Sequence, residues 1–391
     1  MSEKINSNNI IILGCGFSGM LTALAFAEVG IGSTIIESKS VNDPLFFHDI
    51  RTTALTDASR EFLEDLSLWE QLKTIAGPIT DIYVVDNKAP EMLHFASRQV
   101  KTEALGYIVK NSDFKKLLLS AINKNPLITL KDKCSYKSVE SNAQGGELLL
   151  EDGNTIPYSL LLICEGHNSP TKKRYFAKDM QKYYKQTALT FIVSHEKPHE
   201  GTAVEHFQAS GPFAILPLCE PGSSSIVWTL PTVQSEVIKN LPREEFEYLV
   251  QQNFGDFLGQ IKLESAIAAY PLKAYLAHNY FHERIALIAD SAHIIHPLAG
   301  QGLNMGIKDI TALTCLIQEH GVSSYVLTEY QSRRQADNKA MYLITDNLNR
   351  IFSNHSNILH HIRKTGLKII DQFTPLKTLA IKYAMGKRLH K

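Results

Sequence analysis

The strongest constraint on this chain lies near its N-terminus, where a strand, a glycine turn, a helix and a second strand follow one another. Ile10–Leu13 is a short apolar run suited to a buried strand. Gly14-Cys15-Gly16-Phe17-Ser18-Gly19 follows at once, and Met20–Val29 reads as a helix of small and apolar residues. Gly30–Gly32 turns the chain into a second buried strand, Ser33–Glu37. Together they form a βαβ unit of about 30 residues. The glycines have separate tasks. Gly14 permits the tight turn, Gly16 lets the backbone approach a pyrophosphate, and Gly19 brings helix against strand. The phosphates then sit on the helix N-terminus, at Phe17 and Ser18. Glu37, at the strand end, is placed to bind ribose hydroxyls. A glycine-rich turn in an unrelated sheet would share the three glycines but not the flanking strand, helix and acid.

This motif does not distinguish NAD from FAD; a second segment does. Arg284-Ile-Ala-Leu-Ile-Ala289-Asp290-Ser-Ala-His293-Ile-Ile-His296-Pro297-Leu-Ala-Gly300-Gln-Gly302-Leu303-Asn304 reads as strand, aspartate, loop, Gly-Gln-Gly and helix. Asp290 can accept hydrogen bonds from a sugar-alcohol chain, and Gly300 and Gly302 permit close approach to a flat ring. A helix opening at Gly302 aims its amides at that ring, and its dipole favours the negative charge of a reduced flavin. The two segments describe one long cofactor held at both ends.

Between them the texture changes. Arg51–Leu72 reads as helical, Tyr83–Val85 and Met92–Phe95 as strands around a turn, and Asp113–Ile122 as a helix. Gly146–Leu150 and Thr155–Cys164 read as a hairpin entering a buried strand. From Lys185 to Tyr270 β-like alternation dominates, in Thr187–Val193, Val204–Gln208, Phe213–Pro217 and Ser225–Leu230, with one helix at Arg243–Phe254. A buried strand returns at Leu287–Ala289, and Gly302–His320 and Ser323–Phe352 read as helices.

Composition narrows the function. Forty basic residues balance forty acidic ones, which argues against a nucleic-acid binder. The five cysteines, at 15, 134, 164, 219 and 315, are scattered without a CxxC pair, so a reducing, cytoplasmic setting is expected and a disulfide framework or zinc site is not. The polar N-terminus has no signal-peptide core, and no apolar run is long enough to span a bilayer. His293 and His296 are three apart but lack the further convergent ligands a metal needs, so no metal is expected.

At Asp290–Asn304 the chain resembles the class A FAD-dependent aromatic hydroxylases, and more closely their ubiquinone-biosynthesis branch. That family carries Gly-Asp-Ala-Ala-His, then Pro, then Gly-Gln-Gly-Leu-Asn, matched here by Ala289 to His293, Pro297 and Gly300 to Asn304. It carries Asp-x-Arg-x-x-Ala-Leu after the second strand, matched by Asp49-Ile-Arg51-Thr-Thr-Ala54-Leu55, and a C-terminal pattern like Gly366-Leu367, Pro375-Leu376-Lys377 and Ala384-Met385-Gly386. The resemblance runs along essentially the whole chain. It implies an α/β fold, with a Rossmann-like FAD-binding domain of the para-hydroxybenzoate-hydroxylase kind, an inserted mainly antiparallel substrate sheet, and C-terminal helices. The FAD-binding part would be discontinuous (1–75, 98–175 and 280–325), the substrate sheet would be 180–279, and 326–391 would be helical.

The resemblance also implies a monooxygenase. NADPH or NADH, bound transiently, reduces a tightly but non-covalently held FAD; O2 adds to it, and the resulting hydroperoxide transfers OH to an electron-rich ring, here that of a polyprenylated phenol. The cofactor carries the hard chemistry, so no acid–base residue is assigned. Asp290 would hold the ribityl chain, Gly300, Gly302, Leu303 and Asn304 would line the isoalloxazine, Arg51 would lie near the flavin or its phosphates, and Pro297 would sit by the oxygen-reactive face. Glu165-Gly166 stands where the family has Asp-Gly, in a motif tied to FAD and NAD(P)H handling, and Ala289 stands where it has Gly. A homo-oligomer or a ubiquinone-biosynthesis complex is consistent with the family. Rival readings are another flavin monooxygenase or isoprenoid reductase of this fold, an NAD-dependent dehydrogenase without flavin, or a non-catalytic flavin-binding member of such a complex.

Other features have plainer readings beside the functional ones. Arg51 is also suited to an ordinary carboxylate pair, and Cys15 to packing. Stretch 358–391 carries eight Lys and Arg against Asp371 alone. It reads as a helix resting on anionic lipid at the inner membrane or on a partner, or as a packed helix with a solvated basic face.

Overall fold

The apolar runs at Ile10–Leu13 and Leu160–Ile163 are buried at every position, as central strands covered on both faces must be. They pair in parallel, Ile10 opposite Leu160, and Ser33–Ile36 joins on the other side with Ser33 opposite Ile10. Ile128–Lys131 and Ile285–Leu287 extend this sheet in parallel, and Phe281–His282 closes it as an antiparallel edge. Helices Phe17–Glu28, Asn111–Lys124 and Gly302–His320 pack around it. The computed structural model describes residues 9–86, 92–176, 178–297 and 300–352, together with 377, 378, 381, 385 and 386.

A second, nine-stranded sheet carries its own core. Asp179–His195 and Ser223–Pro231 run antiparallel at its centre, and Phe213–Pro217, Thr202–Phe207, Asp81–Asp86 and Met92–Ala96 continue it to one edge. Two of those strands therefore come from the 81–96 stretch, before the inserted segment. Successive residues of a strand point to opposite faces. One face buries Leu189, Phe191, Phe213 and Trp228 under Phe246, Val250 and Phe254 of the helix Arg243–Phe254. The other face bears Ala203 and Ile192 and turns towards the glycine-rich half: Ser225 Oγ lies 2.9 Å from Thr52 Oγ1.

The helix expected over 51–72 begins later. Thr52–Thr56 is a strand paired with Gly106–Lys110, and the helices are Asp57–Asp65 and Trp69–Lys73. Three threonines in five residues favour extended backbone, and Thr56 then caps the helix by accepting the Ser59 N–H. Ser67, at φ +56°, interrupts the helical path between the two pieces. The strand expected to reach Ala289 ends at Leu287, and Ala289–Ser291 forms a 3-10 turn. The helix Thr232–Ile238 was not legible as a helix between its flanking β-like runs.

Among the described residues no helix is long and apolar enough to cross a membrane. Most of 358–391, and with it the basic stretch, lies outside the described residues. The described C-terminal residues Ile381 and Met385 pack on Leu105, Ile82 and Phe95, and Met385 O accepts the Ala58 N–H.

Candidate active site

The glycine turn has the geometry its spacing requires. Gly14 sits at φ +97°, and a Cβ on Gly19 would fall 2.0 Å from Gly14 O, so no side chain fits there. A Cβ on Gly16 would meet nothing within 4 Å, which leaves that side of the turn open to an approaching group. Gly16 starts the helix Phe17–Glu28 without a side-chain cap, so its first amides are available to an anion. Glu37 is fixed beside the turn: Oε2 accepts the Cys15 N–H at 2.8 Å and Oε1 accepts the Lys39 N–H at 2.9 Å. Phe17 stacks on Phe114, and Ser18 O accepts the Thr22 hydroxyl. Cys15 is fully buried and burial pushes its thiol up to about 12, as befits packing rather than redox chemistry.

The second segment stands on a buried ionic network. Ala289, at φ +52°, donates its N–H to Asp309 Oδ2 at 3.2 Å. His293 Nε2 lies 2.6 Å from the same oxygen, while Arg334 Nε and Asn338 Nδ2 donate to Oδ1 at 2.8 and 3.1 Å. Burial alone would raise the Asp309 carboxyl, but His293 and Arg334 outweigh it and hold it below the usual carboxylate range. Sequence reasoning passed over Asp309, although an acid four residues from both Met305 and Leu313 on an apolar stripe is the mark of a buried pair. Asp290 projects from the turn into a solvent-reached recess. The surrounding protein raises its carboxyl, and His293 and Arg51 oppose that rise.

Arg51 faces this recess from the other wall. It makes a two-point pair with Asp49, at 2.8 and 2.6 Å, and lies over the Tyr270 ring at 4.8 Å. Glu165 and Gly166 follow the strand Leu160–Ile163. Glu165 Oε2 accepts hydroxyls from Tyr136 and Ser169 at 2.9 and 2.6 Å, and Gly166 O accepts the Ser291 hydroxyl. The structure thus brings Gly166, Asp290 and Arg51 around one recess.

Asn304 ties the glycine loop to the strand Thr52–Thr56. Its Oδ1 accepts from Thr56 N and Ser59 Oγ, and its Nδ2 donates to Ala54 O and Gly300 O at 2.8 and 3.0 Å. Its side chain is therefore engaged within the protein. Gly300, at φ +59°, lies so near Ala54 that a Cβ would come within 2.7 Å of the alanine methyl. The helix Gly302–His320 starts at Gln301 without a side-chain cap, and a Cβ on Gly302 would meet nothing within 4 Å. Leu303 is half-buried and Pro297 exposed, while Leu298 and Ala299 lie outside the described residues. Two uncapped helix N-termini, each behind a glycine with open space, suit a cofactor with phosphates at one end and a flavin ring at the other. His296 was missed as anything but a doubtful ligand. It is fully buried, edge-on to Tyr184, and neither ring nitrogen has a hydrogen-bond partner among the described residues.

The family model for an FAD binding domain matches residues 7–343. The chain belongs to the FAD-dependent hydroxylases. It is 33% identical over 386 residues to the ubiquinone hydroxylase UbiL of Rhodospirillum rubrum, covering 97% of this chain and 89% of the relative. It is 29% identical to the 3-demethoxyubiquinol 3-hydroxylase of Escherichia coli, covering 96% and 98%. The crystal structure of p-nitrophenol 4-monooxygenase PnpA from Pseudomonas putida superposes with a TM-score of 0.80 at 15% identity, over 97% of this chain and 98% of that one. That last likeness concerns the fold. The oxidoreductase assignment, the hydroxylase class and the FAD-binding domain rest on the family.

Proposed function

We propose that this hydroxylase adds one oxygen to the aromatic ring of a polyprenylated phenol in ubiquinone biosynthesis, using NAD(P)H and O2. The observation that carries the reading is the surface at Gly300–Gly302. There the helix Gly302–His320 starts without a side-chain cap, and Gly300 abuts Ala54, which with Ile82, Ile192 and Leu216 packs on the apolar cluster of Ile79, Ile108, Ala203 and Leu218. FAD, when bound, supplies the redox and oxygen chemistry. The residues proposed to hold it are Gly14, Gly16, Phe17, Ser18, Gly19 and Glu37 at the adenosine and phosphate end, with Arg51, Glu165, Gly166 and Asp290 along its middle. Gly300, Gly302, Leu303 and Asn304 set the ring position, and Pro297 stands beside it. The large sheet covers this cofactor, and its apolar inward face takes the prenylated ring. On this division 1–75, 98–175 and 280–325 form the FAD part, 180–279 the main cover, and 326–391 the C-terminal region.

Full-length similarity to relatives named as ubiquinone hydroxylases supports the substrate class. The test is to load purified protein with FAD and offer short-chain prenylphenols and soluble phenolic acids. NAD(P)H oxidation stimulated by the prenylphenols, with a product one oxygen heavier, supports the reading. Stimulation by the soluble acids alone defeats it. Stretch 358–391 is proposed as a peripheral contact with anionic membrane, checked by flotation of the chain cut after Asn357; unchanged partitioning removes that proposal.

A further inference from the structure

On the inward face of the large sheet an acid stands in a row of apolar residues. On the strand Thr202–Phe207, Ala203 and Phe207 are buried and Glu205, between them on the same face, is half-buried. Across the sheet Glu205 lies opposite Val84 on one side and Ala214 on the other. The adjoining row, Ile82, Ala203 and Leu216, packs against Ala54, which abuts Gly300. Two residues along a strand is roughly 7 Å, so Glu205 stands one row beyond the contact with the Gly300 loop. Ile82, Val84, Leu216 and Val227 on this face are only half-buried.

Glu205 has no hydrogen bond and no ion pair among the described residues. Among the described side chains no charged group faces it from its own strand or from Phe213–Pro217; on the strand Asp81–Asp86 the titratable residue of this register is Asp86, opposite Phe207, and Asp49, Arg51 and Asp290 act on one another. Desolvation alone lifts its carboxyl to about 7. A half-buried acid without a partner among the described residues is costly to keep unless a ligand supplies the donor.

We propose that Glu205 accepts the proton of the substrate's ring hydroxyl, which activates the ring carbon for attack on oxygen. This rests on the hydroxylase reading given above. Only a proton moves: the ring O–H bond breaks, a carboxyl O–H bond forms, and the electron pair stays on the ring oxygen. The resulting phenolate pushes that pair into the ring, and the carboxyl releases its proton to water as the product leaves. The sheet face sets the ring hydroxyl towards Glu205 and the prenyl chain along the apolar row.

The test compares FAD-loaded wild type, Glu205→Gln and Glu205→Asp, with a short-chain prenylphenol and its polyfluorinated counterpart, whose hydroxyl is already ionised at mildly alkaline pH. A base works only when deprotonated, so wild-type kcat/KM falls as pH drops through about 7. Glu205→Gln lowers kcat/KM for the ordinary phenol by about 100-fold or more and moves its acid limb towards the phenol's own pKa of about 10. The fluorinated phenol restores most of the loss, which a merely structural defect would not allow. Glu205→Asp keeps an acid limb with reduced kcat, and it carries the test if the Gln protein does not fold. Wild-type rates and pH profile in Glu205→Gln, or equal losses on both phenols, overturn the inference alone. Wild type that turns over neither phenol overturns the hydroxylase reading and this inference with it.

Discussion

His296 makes stability depend on pH, and its share can be worked out. Burial, with Lys182 adding, holds the imidazole at about 4, against 6.5 for an ordinary histidine; Asp346 pulls the other way. In the unfolded chain it takes up a proton near 6.5. Between those values the unfolded state binds the proton and the folded state does not, so stability falls as pH falls through that window. At pH 5 the unfolded imidazole is almost wholly charged and the folded one almost wholly neutral, which costs the fold about 2 kcal/mol, rising to about 3.4 kcal/mol below both values. Solvent does not screen this cost, because the side chain is fully buried. Replacing His296 with Leu removes this contribution and also two nitrogens that have no partner among the described residues, while forfeiting the edge-on contact with Tyr184. At pH 7.5 the variant should therefore lie within about 1 kcal/mol of wild type. Urea unfolding of the FAD-loaded proteins at both pH values measures the difference. The expected result is a loss on acidification about 2 kcal/mol smaller in the variant. His167, also lowered to about 4 by burial and neighbouring lysines, still titrates in both proteins and leaves a shared residual slope. Equal acid sensitivity in the two proteins would refute the reasoning.

Asp309→Asn removes one of the two carboxylates that hold the buried Arg334, leaving Asp337 at 2.6 Å, and should cost about 1.5–3 kcal/mol in urea unfolding; the Asp309→Asn, Arg334→Met double variant should lose less than the two singles added. Gly19→Ala forces a Cβ against Gly14 O and should abolish FAD retention with a lowered melting temperature, whereas Gly16→Ala should keep the melting temperature and weaken FAD binding in a fluorescence titration. Ala289→Gly relieves about 1–2 kcal/mol of left-handed backbone strain but loses a buried methyl and gains unfolded-state freedom, so calorimetry should find a change of no more than about 1 kcal/mol.

Much of this fold is legible in local pattern. The helices Arg243–Phe254 and Gly302–His320 and the strand Phe213–Pro217 begin and end where their periodicity says they do. Thr52–Thr56 does not, because leucines at helical spacing beyond it extend an apparent helix back across residues that pair with Gly106–Lys110. That pairing spans too much chain to leave a local sign. The glycines of the turn announce themselves because each needs to be glycine for a reason within a few residues, as Gly19 does against Gly14 O. Asp309 meets Arg334 and Asn338 only in three dimensions, and the fixing of Asn304 by Thr56 and Ser59 joins residues almost 250 positions apart. Glu205 is hidden for another reason. Alternation along Thr202–Phe207 separates two faces, but only the assembled sheet shows that one packs under the helix Arg243–Phe254 and the other opens towards the Gly300 loop. The family's glycine before Asp290 also gains a meaning here: the position is left-handed, and Ala289 occupies it with its N–H still held by Asp309.

The central claim is that a cofactor held between Gly16 and Gly302 oxygenates a prenylated phenol. It is tested most directly by mass spectrometry of the product formed by FAD-loaded protein from a short-chain prenylphenol, NAD(P)H and isotopically heavy O2. The account predicts one heavy oxygen atom on the ring, with no product when FAD is omitted. Label-free product, or ring oxidation undiminished without FAD, would contradict it.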